Sequence, residues 1–277
     1  MSALLSIQSA VTYGAVGNTM AELVMAGSRH HLCRIDTVQL TAHPGHGFRA
    51  GGSLPDTEFA DLLGGLSKLG IWADFAAIMI GYIGRAGQVT PIKDALARYR
   101  QESNGPVLLD PAIGDHGRIY VDKAVADGVL ECLLPEASIL TPNAFELGYL
   151  TSSSITGPEA AEKAAFGIIA THPNIEGVAV TGIALPSGIA DAWIDRSGMT
   201  VFEKPALVRN RGGYSGAGDL FAALLMVHWL NGASWKDAAT SASQLADDVL
   251  RHSDNENLNN ISLDAVRQTA SRIRDHA

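Results

Sequence analysis

The segment Arg211-Gly212-Gly213-Tyr214-Ser215-Gly216-Ala217-Gly218-Asp219 runs directly into the apolar stretch Leu220-Phe221-Ala222-Ala223-Leu224-Leu225. Small residues let a backbone approach a ligand closely. A helix that begins here leaves its first N–H groups unpaired and adds the positive end of its dipole, so the junction has the makings of an anion hole. A carboxylate at Asp219 is ordinary as a helix cap or dipole partner. Beside a bound phosphate it would repel the ligand, unless it acts as base for an attacking hydroxyl. On this segment alone, a glycine-rich turn capped by Asp219 remains the competing reading. Two better-known phosphate motifs are missing. No G-x-x-x-x-G-K-[ST] occurs, and Tyr13-Gly14-Ala15-Val16-Gly17-Asn18 after the first strand lacks the G-x-G-x-x-G spacing.

Something must hold that junction in place. Short apolar runs bounded by turn residues predict strands over 4–8, 34–40, 76–80, 106–109, 138–140 and 177–180. A late pair, 190–194 and 199–202, reads as a hairpin closed by Asp195-Arg196-Ser197-Gly198. Helical patterns lie between and after them, over 18–26, 56–69, 88–101, 122–134, 158–171, 218–230, 235–251 and 262–275. Pro158 and Glu159 mark one helix start clearly. Continuous apolar runs suit parallel strands covered on both faces. The alternation predicts an α/β fold: a mostly parallel sheet flanked by helices, with a small β hairpin or lid, in one domain over 1–277. In such sheets ligands bind beyond the carboxyl ends of the strands.

Composition narrows the partners. The 277 residues are 47% hydrophobic and 18% charged, which supports a large core and excludes wholesale disorder. A formal charge of -9 argues against coating nucleic acid or an anionic membrane. Two cysteines, Cys33 and Cys132, make no disulfide framework and fit a reducing, cytoplasmic setting. The N-terminus has no basic region of the secretory type, and the longest apolar run, 220–230, is too short for a bilayer.

Four more segments decide the family. Ser6-Ile7-Gln8-Ser9 with the following Gly14-Ala15-Val16-Gly17-Asn18, Thr37-Val38-Gln39-Leu40, Asp110-Pro111-Ala112-Ile113-Gly114-Asp115 and Thr141-Pro142-Asn143-Ala144-Phe145-Glu146 precede Gly216-Ala217-Gly218-Asp219. In this order and spacing, over nearly the whole chain, they resemble the pyridoxal kinases of the ribokinase-like superfamily. The resemblance implies ATP-dependent phosphorylation of the 5′-hydroxymethyl group of a B6 vitamer, with Asp219 as general base. The N–H groups around Gly216, Ala217 and Gly218 then stabilise charge on the phosphoryl in transit. Asp110 and Glu146, each just past a predicted strand, are implied Mg²⁺ ligands, directly or through water. K⁺ near the nucleotide is a further family expectation. Singly, Asp110 reads as a turn-forming Asp-Pro and Glu146 as a solvated helix-start carboxylate.

The same resemblance places Asp115, Tyr120, Thr141, Asn143 and Thr181 at the nucleotide, Thr181 just after the strand over 177–180. Lys204, Pro205, Ala206 and Leu207 match the loop that contacts adenine. Ser9, Val16, Leu40, His43, Pro44, Gly45 and Tyr82 fall on the vitamer side. One departure stands out. After T-V-Q-F the family reads S-N-H-T-x-Y, whereas this chain reads Thr41-Ala42-His43-Pro44-Gly45-His46. Pro44 has no side-chain donor where a threonine hydroxyl would meet substrate, a loss of about 1–3 kcal/mol if the partner stays buried. That bears on vitamer preference. The competing readings are a related kinase of hydroxymethylpyrimidine or a sugar, and a catalytically idle B6-binding protein. Asp219 in place of the cysteine common in pyrimidine kinases, and the Ser6-Ile7-Gln8-Ser9 opening, speak against the first. The set Asp219, Asp110 and Glu146 speaks against the second. A homodimer is the family expectation.

Overall fold

The computed structural model describes residues 3–209 and 213–275. The strands are β1 (Ala3–Val11), β2 (His31–Leu40), β3 (Gly51–Ser53), β4 (Phe75–Ile80), β5 (Val107–Leu109), β6 (Gly114–Asp115), β7 (Arg118–Ile119), β8 (Ile139–Leu140), β9 (Gly177–Leu185), β10 (Gly188–Asp195) and β11 (Gly198–Pro205). Nine of them form one sheet in the order β11-β10-β9-β8-β5-β4-β1-β2-β3. The centre, from β2 to β9, is parallel, and β3, β10 and β11 add antiparallel margins. β6 and β7 make a separate two-stranded flap.

The helices are α1 (Gly17–Met25), α2 (Asp56–Leu69), α3 (Val89–Glu102), α4 (Lys123–Gly128), α5 (Ala144–Thr151), α6 (Pro158–Thr171), α7 (Ala217–Leu230), α8 (Trp235–Asn255) and α9 (Leu263–Asp275). They cover both faces of the sheet, and the strands show why. Leu5, Ile7, Ile78, Ile80, Val107, Leu109, Leu140, Val178 and Val180 enter one core with α2–α6. Leu4, Ala77, Met79, Leu108, Ile139 and Ala179 enter the other with α1 and α7–α9. Successive side chains point to opposite faces, so an unbroken apolar run feeds two cores. Among the described residues no helix is long and apolar enough to cross a membrane.

Three departures from the sequence expectations matter. The helix read over 122–134 ends at Gly128 and continues as a π turn, Val129–Leu133, and a 3-10 turn, Leu134–Glu136. Gly128 admits Val89 at the point where a β-carbon would stand 2.8 Å from it, and Pro135 lacks the N–H that another α turn would use. Helix α5 went unread because its eight residues carry no clear apolar stripe. Asn143 and Glu146 start it as a full capping box. The flap and β3 are too short to show a period.

A buried polar network fixes the start of α1 beneath the sheet. Asn18, fully buried, lies within bonding distance of the Gln8 and Ile35 carbonyls (3.1 Å each) and Asp36 (2.7 Å) through its amide nitrogen. Its oxygen accepts from Ser6 (2.7 Å), which itself accepts from Gln8 (2.8 Å). Replacing Asn18 strands several buried partners at once, each worth about 1–3 kcal/mol. Asn18→Ala should therefore lower unfolding stability by about 3 kcal/mol in urea at unchanged m-value; a loss under about 1 kcal/mol would show that the network is not structural.

Candidate active site

The carboxyl ends of β1, β4, β5, β8 and β9 open on one edge of the sheet, and the starts of α1, α5 and α7 face it. Asp110 follows β5 and is 7% exposed; Glu146, in the first turn of α5, is 2% exposed. Asp219 lies in the first turn of α7, at the floor of the cleft. A β-carbon on its neighbour Gly218 would stand 3.7 Å from Asp110 Oδ2, so the start of α7 rests against the β5 loop. Burial raises the Asp110 carboxyl well above its usual value, and the charges of Glu146 and Asp219 raise it further. Burial likewise raises Asp219, which accepts a hydrogen bond from the Gly17 N–H at the start of α1.

The three carboxylates are not equivalent. Glu146 Oε1 accepts from the N–H groups of Ile113 (2.9 Å) and Gly114 (3.3 Å), and Oε2 from Asn143 (3.0 Å). Those bonds tie the loop after β5 to the start of α5 and leave little free acceptor capacity. Burial still outweighs them, and its pKa is pushed up to about 7. The solvated carboxylate considered from sequence is thus a buried one. Asp110 accepts from the Ala112 N–H and Asp219 from the Gly17 N–H, so neither is bound as fully as Glu146.

Backbone geometry shapes the anion hole. Gly216 caps α7 at φ +90°, a left-handed conformation, and a β-carbon there would meet the Ala15 carbonyl at 2.5 Å. Glycine is required on both counts. The Ala217 N–H donates to the Tyr214 carbonyl (3.1 Å), which closes the turn. The first-turn N–H groups of Gly218 and Asp219 are of the kind an α-helix leaves unpaired. Arg211 and Gly212 lie outside the described residues.

Toward the end of β1, Ser9 is buried and its backbone and hydroxyl abut Gly17. Val16 sits at the Gly216 turn, and Leu40 ends β2 half-buried. His43 Nδ1 accepts from the Gly45 N–H (3.1 Å), its ring lies 4.4 Å from that of His46, and Nε2 meets Asn260 (3.4 Å). Pro44 and Gly45 are exposed in a 3-10 turn, Pro44–His46. Gly45 nonetheless faces Ser215, beside the anion hole. Tyr82 is half-buried, its ring 6.3 Å from that of Tyr120.

Asp115 is exposed in the flap and accepts from the His116 N–H (2.7 Å). Tyr120 follows the flap with 52% of its surface exposed, and partial desolvation with the charges of Glu146, Asp110 and Asp219 raises its phenol above the usual value. Thr141 Oγ1 is buried with no hydrogen-bond partner among the described residues. The Asn143 side chain donates to the Gly114 carbonyl (2.9 Å), which helps carry the flap. Thr181 corrects the sequence reading. β9 does not stop at Val180 but runs to Leu185, and Thr181 and Gly182 form a bulge opposite Asp191, with Gly182 at φ +68°. Lys204 and Pro205 likewise belong to β11 rather than to a loop, and the Lys204 ammonium is paired with Asp191. Pro205 and Ala206 are exposed, and Leu207 packs against the second core.

Two contributors escaped the sequence reading. Gly17 donates to Asp219 from 202 positions earlier. Asp254, buried near the end of α8, accepts from the N–H groups of Val208 (2.9 Å) and Arg209 (3.1 Å), and so anchors the chain that leads to the glycine-rich segment. The run Gly14-Ala15-Val16-Gly17 was a visible signal for the first; no local signal marks the second.

Residues 71–263 match the family model described as phosphomethylpyrimidine kinase. A pyridoxine/pyridoxal/pyridoxamine kinase of Bordetella avium is 34% identical over 246 residues, 87% of this chain and 82% of that one. The crystal structure of pyridoxal kinase from Entamoeba histolytica superposes with TM-score 0.89 over 99% of this chain and 96% of its own, at 22% identity. Pyridoxal kinase from Leishmania donovani, in complex with ADP and pyridoxamine, gives 0.86 over 99% and 96%, at 25% identity. With a central parallel sheet, helices on both faces and a carboxylate cluster at its open edge, the chain belongs to the phosphomethylpyrimidine kinase family, in its pyridoxal kinase branch.

Proposed function

We propose that the protein transfers the γ-phosphoryl group of ATP to the 5′-hydroxymethyl oxygen of pyridoxal, giving pyridoxal 5′-phosphate and ADP. One observation carries the reading: Asp219 stands in the first turn of α7, one residue from the point where that turn rests against Asp110. A hydroxyl set between them faces a base on one side and helix N–H groups on the other. The oxygen attacks the γ-phosphorus, the bond to the β–γ bridging oxygen breaks with its electrons leaving on ADP, and the proton passes to Asp219. Burial raises Asp219, which makes its carboxylate a better proton acceptor than an ordinary one. Gly216 and Gly218 offer N–H groups to the phosphoryl, while Ala217 holds the turn. Ser9, Val16, Leu40, His43, Gly45 and Tyr82 form the vitamer side, and Pro44 leaves that side without a threonine hydroxyl. Asp115, Tyr120, Thr141, Asn143, Thr181 and the chain from Lys204 to Leu207 form the nucleotide side.

The donor set fits Mg²⁺. Asp110 is a buried carboxylate whose proton affinity the charges of two others raise, and a hard divalent ion would relieve that repulsion. Glu146, already holding three N–H groups, would act through water. Among the described residues no three His, Cys, Asp or Glu side chains form a complete cage, so phosphate oxygens and water would fill the remaining positions. When bound, the ion would neutralise charge on the phosphates. The unpartnered Thr141 hydroxyl fits K⁺ or the nucleotide itself. The same reading places the protein in the cytoplasm, with free Cys33 and Cys132, as a homodimer without nucleic-acid or membrane partners.

Turnover of MgATP with pyridoxal should yield pyridoxal 5′-phosphate and ADP, and Asp219→Ala should cut kcat at least about 10²-fold without lowering the unfolding midpoint. Wild-type product formation no faster than that of the variant would refute the kinase reading. Hydroxymethylpyrimidine, pyridoxine and pyridoxamine complete the acceptor panel.

The carboxyl cluster also links stability to pH. Glu146 keeps its proton in the folded state up to about 7 and releases it near 4.5 when unfolded. The folded state therefore holds more protons across that window, and stability falls as pH rises through it. A divalent cation takes over the protons' role. Added Mg²⁺ should raise the melting temperature more at about pH 8 than at about pH 5.5; equal shifts would show that the cluster is not its site.

A further inference from the structure

We infer that Asp191 is a positioning residue for the nucleotide side of the cleft, acting on the Thr181–Gly182 bulge and on the exit of β11; the inference rests on the kinase reading above. Asp191 lies in β10, away from the acidic cluster, and touches none of the reacting groups. Its side chain is 6% exposed and pairs with Lys204, itself 10% exposed, from β11. Its Oδ2 also accepts from the fully buried Ser243 hydroxyl of α8 (2.9 Å). Its Oδ1 accepts from the Gly182 N–H of β9 (3.2 Å). One carboxylate thus gathers donors from three separate elements.

Stability alone is a poor explanation for such a group. A buried ion pair can often be exchanged for apolar residues at no cost, because desolvating two charges offsets most of their attraction. Geometry gives the better account. The register between β9 and β10 shifts between Ala190 and Ala192, so that Thr181 and Gly182 together oppose Asp191. The bond to Gly182 holds this bulge at φ +68°. The Thr181 N–H then donates to the Pro142 carbonyl (3.0 Å), and Thr181 bridges to Asn143, whose N–H binds Glu146. On the other side, the pairing turns the Lys204 ammonium inward one residue before β11 ends at Pro205, after which Ala206 and Leu207 leave the sheet. Their backbone, rather than the lysine charge, then faces the adenine side. Asp191 is the shared anchor of both segments proposed to hold the nucleotide, and none of its contacts reaches Ser9, His43 or the other vitamer-side residues.

The full chain carrying Asp191→Asn, and separately Ser243→Ala, tests this. KM for MgATP, KM for pyridoxal and kcat are measured, together with the dissociation constant of a non-hydrolysable ATP analogue by calorimetry. Asp191→Asn should raise KM for MgATP and the analogue dissociation constant about tenfold or more, and Ser243→Ala by a smaller factor. KM for pyridoxal and kcat at saturating ATP should change less than about threefold. An unchanged analogue dissociation constant, or equal rises in both KM values, would overturn the inference. If Asp191→Asn does not fold, Ser243→Ala decides alone by the same criterion. A wild type that binds the analogue yet leaves pyridoxal unphosphorylated would refute the kinase reading but not the anchoring of the nucleotide side, which the dissociation constants still report.

Discussion

Three carboxylates brought together at the open edge of a sheet constrain everything around them. Burial raises the proton affinity of Asp110, Glu146 and Asp219, and the charges of Glu146 and Asp219 raise that of Asp110 further. A cluster of this kind persists only if the surroundings supply positive potential, protons or a cation. The fold supplies the first through its own backbone. The starts of α1, α5 and α7 all face this edge, and each brings the positive end of a helix dipole. The parallel centre of the sheet is what makes this possible, because it delivers the carboxyl ends of successive strands to one side.

Within that shared field, hydrogen bonding divides the work. Glu146 is committed to three backbone N–H groups and holds the β5 loop to α5. Asp219, half-buried at the start of α7, accepts an N–H from Gly17. Asp110 feels the charges of both, which raise its proton affinity beyond the effect of burial. The Gly17–Asp219 bond joins elements at opposite ends of the chain, so the site depends on the docking of α1 against β1 and β2. The Ser6–Gln8–Asn18 network does that docking, and so contributes to the chemistry without touching any reacting atom.

Much of this was readable from residues alone, for identifiable reasons. Helices α2 and α6 show the periodicity and end signals that define helices, and their limits agree with the sequence reading at both ends. Strands buried on both faces were legible as continuous apolar runs. The Gly216–Asp219 junction was legible because glycine there answers a steric demand, the Ala15 carbonyl at 2.5 Å. What escaped was either too short to have a period, such as β3 and the flap, or determined by distant partners. Nothing near Thr181 signals that β9 continues past it; the cause is Asp191 across the bulge. Nor does the sequence around Lys204 reveal that its charge is turned inward, or that around Asp254 that it secures residues 208 and 209. Side-chain partners separated by dozens of residues leave no local trace.

The central claim is spatial: phosphoryl donor and acceptor meet between the start of α7 and the β5 loop. A crystal structure with Mg²⁺, a non-hydrolysable ATP analogue and pyridoxal tests it most directly. The account predicts the γ-phosphate over the N–H groups of Gly216 and Gly218, an Asp110 oxygen in or next to the Mg²⁺ shell, and the 5′-hydroxyl within hydrogen-bond reach of Asp219. A nucleotide whose terminal phosphate lies away from α7, or a vitamer whose hydroxyl faces away from Asp219, would contradict it.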